Sequence, residues 1–294
     1  MPNLPSAVTP PPSLRATVFQ GEWPRIPSEP GEVPEGTFGP ANATLISGPS
    51  EIVLIDAGHL KKDVESLGDL IESTGKTLTT IYVTHDHADH YLGIGPLLER
   101  FPGAKAVTLP SVLASMRETW EAQRAQWKMF FGDRCVEHGP MPEELVGNTL
   151  FVDGYEVEII EVPQADIHPT SIVHVPELDL VVAGDGIYNE IHPMLALGTP
   201  DEWKDWLRTI DIVEALKPRM IVAGHRRPDS DDRAVEAMIS QTRSYIKDFA
   251  AAYEASTTIE ELIGTMMAKY PTHGNFWSLQ VSAAAALARR SDEG

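Results

Sequence analysis

Residues 80–90 read Thr-Ile-Tyr-Val-Thr-His-Asp-His-Ala-Asp-His, a short apolar run that ends abruptly in three histidines and two aspartates. A run of this length, rich in β-branched and aromatic side chains, predicts a buried strand. Its polar tail must then leave the sheet at a strand end, where open α/β sheets present their ligands. Three other stretches repeat the arrangement. "YEVEIIEVP" leads to His168 in "QADIHPTS", "LDLVVAG" leads to Asp185, and "RMIVAG" leads to His225. A fold that gathers these four strand ends gathers His85, His87, Asp89, His90, His168, Asp185 and His225 with them.

The spacing suits metal ions. In extended backbone, residues two apart point the same way, so His85 and His87 can share one ion. Asp89 and His90 lie one turn further on and can face a second. His168 would complete three imidazoles around the first ion, Asp185 could bridge both, and His225 would close the second position. Nitrogen and oxygen donors without thiolate suit two divalent ions, zinc best, with iron, manganese or cobalt as alternatives. His59, His138, His174 and His273 do not follow strand signals in this way and read as ordinary surface or hydrogen-bonded core residues. Asp86 and Asp166 read as solvated loop carboxylates, or else as carboxylates that support the ligands from behind.

The rest of the chain predicts an alternation of strands and helices. "NATLISG" and "EIVLIDAG" form a hairpin across a Gly-Pro-Ser turn, and "TLFVDGYEVEIIEVP" forms another across Asp153-Gly154. Helical patterns mark residues 60–75, the short segment 95–101, and the amphipathic 201–218. A long helix over 111–131 carries Trp120, Trp127, Phe130 and Phe131, either as a buried aromatic face or as a cap lining a substrate pocket. Beyond Pro228 the chain is almost wholly helical. The expected organisation is a flexible Pro-rich arm over 1–15, a catalytic domain over 16–230, and a helical extension over 231–294 packed on the same domain. That extension offers a lid or a homodimer surface.

Composition narrows the partners. With 43 acidic and 23 basic residues the formal charge is −20, and no basic cluster larger than a pair occurs, which excludes a nucleic-acid backbone as partner. No apolar run reaches the ~18 residues needed to span a membrane. The N-terminus lacks the basic start and apolar centre of a signal peptide. One cysteine, Cys135, forbids an internal disulfide and fits a reducing compartment, so a cytoplasmic location is expected.

"THDHADH", followed by the distant His168, Asp185 and His225, resembles the metallo-β-lactamase superfamily, whose signature is HxHxDH with a later His, Asp and His. The resemblance spans roughly residues 40–230. It implies an α/β fold, a four-layer αββα sandwich with the metal site at one edge, here with extra C-terminal helices. Asp56 in "VLIDAG" matches an aspartate that supports the site in that family. Two departures stand out. Tyr91 and Leu92 precede Gly93 where the family often has paired glycines, and the bridging position carries Asp185 rather than cysteine. The second departure points away from the thiolate-using zinc β-lactamases.

The resemblance further implies a metal-dependent hydrolase in which a metal-bridging hydroxide, oriented by Asp89, attacks the carbonyl of a lactone or ester. Tyr188, three residues after Asp185 as in the N-acyl homoserine lactone lactonases, is a candidate donor to the oxyanion, or else a tyrosine packed beneath the site. Asn189, Glu190 and His192 should overhang the same cleft. His192 reads either as a pocket residue or as a protonated surface histidine. Arg226 and Arg227 either hold a substrate carboxylate or pair with Asp229, Asp231 and Asp232. The acidic surface and aromatic helix favour a neutral, partly apolar small-molecule substrate. The alternatives are thioester hydrolysis of glyoxalase II type, for which no glutathione-binding basic cluster is evident, and a mononuclear iron persulfide dioxygenase.

Overall fold

A computed structural model describes residues 14–24 and 38–292. Most of the expected N-terminal arm, residues 1–13, lies outside the described residues. The part that falls within them is not an arm. Leu14 is buried, and Arg15 opens strand β1 (Arg15–Gln20), which pairs antiparallel with β2 (Asn42–Ser47).

Among the described residues two sheets face each other. The first runs in the order β1, β2, β3 (Glu51–Ile55), β4 (Thr77–Tyr82), β5 (Lys105–Thr108), β6 (Glu143–Glu144). The second runs β11 (Met220–Val222), β10 (Leu180–Val182), β9 (Thr170–Val175), β8 (Tyr155–Val162), β7 (Thr149–Val152). Both expected hairpins form: β2 with β3, and β7 with β8 across Asp153 and Gly154, whose φ values of 47° and 85° suit a type I′ turn. The Asp153 carboxylate also accepts the backbone N–H groups of Ser50 (2.8 Å) and Glu51 (2.9 Å), which locks one hairpin turn against the other.

Strand periodicity explains the layering. Along β9 and β10, Val173, Val175, Leu180 and Val182 enter the core shared with the first sheet, while Ile172 and Val181 face the opposite way. That outer face is covered by α5 (Pro200–Ala215) and the C-terminal helices α6 (Val235–Ala255), α7 (Ile259–Lys269) and α8 (Phe276–Asp292). Trp203, Trp206, Ile210 and Val213 supply the α5 side of this contact at the spacing of one helix face. On the far side, α1 (Lys61–Ser73) and α3 (Ile94–Arg100) cover the first sheet through Val64, Leu67, Ile71, Ile94 and Leu97. The result is the αββα order with helices added at the C-terminus.

Two capping boxes start helices cleanly. Thr199 with Glu202 opens α5 behind Pro200, and Thr258 with Glu261 opens α7. The long helix α4 (Pro110–Phe131) does both of the things its sequence suggested. Trp120 stacks on Tyr91 at 5.0 Å between ring centres, and Trp127 stacks on Phe131 at 5.3 Å, while Trp127 and Phe130 also wall an open cleft. No helix among the described residues is long and apolar enough to cross a membrane.

Candidate metal centre

The C-terminal ends of β3, β4, β10 and β11 point to one edge of the sandwich, and the loop after β8 joins them there. His85, Asp185 and His225 each lie three residues beyond the strand that precedes them, β4, β10 and β11 respectively. The loop after β4 carries His87 and turns into the short helix α2 (Ala88–Tyr91), which holds Asp89 and His90. Close backbone approach makes the convergence possible. A Cβ on Gly224 would stand 2.1 Å from Asp185 Oδ1, and the Gly224 N–H donates to Gly184 O at 2.6 Å. A Cβ on Gly93 would stand 2.1 Å from Ala57 O, so the glycine lets α2 sit against the end of β3.

Two groups of donor atoms result. His85, His87, Asp166 and Asp185 form one; Asp89, His90 and His225 form the other. His90 Nε2 lies 3.2 Å from Asp185 Oδ1, and His225 Nε2 lies 3.3 Å from Asp185 Oδ2 and 3.4 Å from Asp89 Oδ2, so Asp185 stands between the groups. The rear nitrogen of three imidazoles is held from behind. His85 Nδ1 meets Thr84 Oγ1 at 2.9 Å, His90 Nδ1 meets Asp56 Oδ2 at 2.8 Å, and His225 Nδ1 donates to Gly39 O at 2.6 Å. Such partners fix ring orientation and direct Nε2 inward. Asp56 itself adopts φ 60° and accepts the Thr84 N–H at 2.9 Å and the Thr84 hydroxyl, which ties β3 to the histidine loop.

The residues fit metal ions. His85 Nε2, His90 Nε2, Asp185 Oδ1 and both Asp166 oxygens are buried with no hydrogen-bond partner. Leaving so many polar atoms dry and unpaired is costly unless something binds them. The electrostatics agree. Burial opposes charge on every imidazole here, yet Asp166, Asp89 and Asp185 hold His87 up at about 9. Asp89, Asp56 and Asp185 raise His90 well above its ordinary value, and Asp185 with Asp89 raises His225. His85, which lacks so close a carboxylate, is driven well below by burial and by His90. Burial would raise Asp185, but His225 and His90 hold it far below the usual carboxylate range. The cluster therefore attracts positive charge, whether protons or metal ions.

Several expected residues sit elsewhere. His168 is exposed and outside both groups, and Asp166 takes the place assigned to it. The cause is the turn after β8. Ala165 N–H donates to Ile167 O at 3.3 Å, and the Thr209 hydroxyl of α5 bonds both the N–H and the C=O of Gln164, which aims Asp166 inward. Neither Asp166 nor Asp86 is a solvated loop carboxylate. Asp86 is fully buried and accepts the hydroxyls of Ser115 (2.7 Å) and Thr119 (2.6 Å), anchoring α4 to the histidine loop. His192 does not line the cleft. It is fully buried, with Nδ1 2.8 Å from the Tyr245 hydroxyl. Asn189 and Glu190 are likewise absent from the cleft wall. Arg226 pairs with Asp232 at 2.5 Å, and Arg227 donates to Thr272 O at 2.7 Å. Tyr188 does reach the centre. Its hydroxyl donates to Asp185 Oδ2 at 2.5 Å, and its ring stacks on His225.

A cleft of about 620 Å³ opens over both groups of donors, reaching His87, Asp89, Asp166, Asp185 and His225. Its walls come from α4 (Thr119, Gln126, Trp127, Phe130), from the loop at Met194 and Leu197, and from α8 (Trp277, Val281). Among the described residues, no lysine or arginine lines it.

The sequence profile of the metallo-β-lactamase superfamily matches residues 36–225, well over half of the chain. The chain belongs to this superfamily. The architecture agrees. A metallo-β-lactamase family protein from Thermus thermophilus superposes with a TM-score of 0.64 at 21% identity, covering 95% of this chain and 94% of that one. A metallo-β-lactamase from Pontibacter korlensis superposes at 0.55 with 18% identity, covering 76% and 99%, and the DIM-1 metallo-β-lactamase exposed to ceftazidime at 0.56 with 19%, covering 81% and 98%. These identities speak for the fold alone. No curated protein sequence matches the chain. In this superfamily, whose members are mainly metal-dependent hydrolases, the His/Asp cluster is consistent with a dinuclear divalent metal site.

Proposed function

We propose that the protein is a hydrolase that uses two divalent metal ions to open a neutral, partly apolar lactone or ester. The observation that carries this reading is the pairing of a buried, unsatisfied His/Asp cluster with a cleft whose walls are mainly aromatic and aliphatic and, among the described residues, hold no lysine or arginine. A substrate bearing a carboxylate, such as a β-lactam or a glutathione thioester, would find among the described residues no lysine or arginine there to pair with it. A neutral carbonyl compound with an apolar arm loses nothing on entering.

Bound divalent ions would supply an acidified water and polarise the substrate carbonyl. The chain's own residues then do the following. His85, His87, Asp185, His90 and His225 would hold the ions, with Asp56, Thr84 and Gly39 O keeping three of the imidazoles in register. Asp89, which reaches the cleft, accepts a proton from the attacking water and orients it. Burial and the neighbouring Asp185 raise the Tyr188 phenol well above its ordinary value, so it stays protonated, and its single O–H, which rests on Asp185 Oδ2, would turn from that carboxylate to donate to charge developing on the carbonyl oxygen. Trp127, Phe130 and Trp277 take the apolar arm and exclude water.

The test is metal analysis of the purified protein followed by a panel of lactones, esters, thioesters and a β-lactam. Two equivalents of zinc or manganese with lactone or ester turnover support the reading. One equivalent of iron with oxygen uptake on a persulfide overturns it.

A further inference from the structure

We propose that Asp166 is itself a metal ligand, in the position where a third imidazole was expected, and that it widens the first site's acceptance of oxygen-loving ions such as Mn2+ and Fe2+. This rests on the metal-dependent reading above and adds the composition of the site. Asp166 is 1% exposed, yet no donor meets either of its oxygens in hydrogen-bonding geometry. Oδ2 lies 2.7 Å from His87 Nδ1, and Oδ1 lies 3.9 Å from His85 Nε2.

The second distance separates a ligand from a mere support. A carboxylate that only oriented His87 would stand behind the ring, away from the rest of the centre, as Asp56 stands behind His90. Asp166 instead reaches toward the free nitrogen of His85, whose other nitrogen already meets Thr84. It shares that space with Asp185, and all four side chains offer donor atoms within 4.8 Å of one another. The turn that carries Asp166 is built for this. Thr209 clamps Gln164 on both backbone groups, and the Ala165-to-Ile167 bond closes the turn around the aspartate.

The chemistry of the donors changes accordingly. Two imidazoles and two carboxylates make a harder set than three imidazoles and one carboxylate, and hard oxygen donors narrow the preference for zinc over manganese. Over the whole centre, three carboxylates facing two divalent ions leave one net positive charge, whereas an imidazole at 166 would leave two. A less cationic centre matches a cleft that, among the described residues, holds no lysine or arginine, since both discriminate against anionic substrates.

The experiment measures affinities of the metal-free full-length protein for Zn2+ and Mn2+ separately, by competition with a chromophoric chelator. It compares wild type with Asp166→Asn and Asp166→His, and circular dichroism checks that each is folded. Wild type should bind two ions. Asp166→Asn should weaken Mn2+ at one position by about 100-fold and Zn2+ by less, and Asp166→His should raise the Zn2+/Mn2+ affinity ratio at that position at least about tenfold. The histidine variant carries the test alone if the asparagine variant does not fold. An unchanged ratio overturns the proposal, whether both affinities hold or fall together, because a supporting role would weaken both ions alike. Wild type that binds neither ion refutes the metal-dependent reading itself, a result distinct from an unchanged ratio.

Discussion

His192 offers a stability measurement whose size follows from its surroundings. The imidazole is fully buried against the rings of Tyr245, His273 and Phe276, and its Nε2 has no partner. Burial, with His273 nearby, lowers it from 6.5 to about 3. In the unfolded chain it takes a proton below pH 6.5; in the folded protein it does so only near 3. Its stabilising contribution is thus intact above pH 6.5 and drains away as the pH falls toward 3. At about 1.36 kcal/mol per pH unit, the loss by pH 5 is about 2 kcal/mol.

Substituting His192→Phe removes the titration and keeps most of the ring volume. At pH 7.5 the variant loses the hydrogen bond to Tyr245 and leaves that hydroxyl unpaired, a cost of about 1–2 kcal/mol. Wild type should therefore be the more stable at pH 7.5, and the gap should close to about zero at pH 5. Urea unfolding of the metal-free proteins at pH 7.5, 6.5, 5.5 and 5.0 gives the two curves. The histidines of the buried cluster are present in both proteins, so the difference between the curves isolates residue 192. Parallel curves across this range would refute the claim that a buried neutral imidazole at this position opposes folding in acid.

Other substitutions test the site more directly. Tyr188→Phe removes the hydroxyl bonded to Asp185, and kcat for the best substrate should fall by about 100-fold with little change in KM; an unchanged kcat would leave the tyrosine a packing residue. Asp56→Ala frees His90 Nδ1 and the Thr84 hydroxyl, and should weaken metal binding by about 10–100-fold in a chelator competition. Trp127→Ala strips a buried ring from Phe38, His59 and Phe131, and should cost about 3–5 kcal/mol in denaturant unfolding. In the same variant KM should rise more for long-chain than for short-chain esters.

How far the sequence reached can be judged residue by residue. Run length and β-branched content located the strands, because a sheet with a helix layer on one face and a second sheet on the other buries side chains on both faces, as Ile172, Val173 and Val175 show. The turn at Asp153-Gly154 was equally legible, since its backbone needs positive φ at both positions. His85, Asp185 and His225 were readable for a related reason: each follows its strand by three residues, too few for the chain to wander. The same rule carried one step further would have favoured Asp166 over His168, because Asp166 stands four residues past Val162 and His168 six. What the local pattern did not contain was the clamp from Thr209, 45 residues away, which turns Asp166 inward and leaves His168 in solvent. His192 was misplaced for the same physical reason, its surroundings being set by Tyr245 on α6, 53 residues on. Donor residues at strand ends are encoded locally; donors and core histidines on longer loops are decided by whichever distant helix packs against them. The residues least legible here, Asp166 and His192, are accordingly those whose substitution tests the fold and the chemistry together.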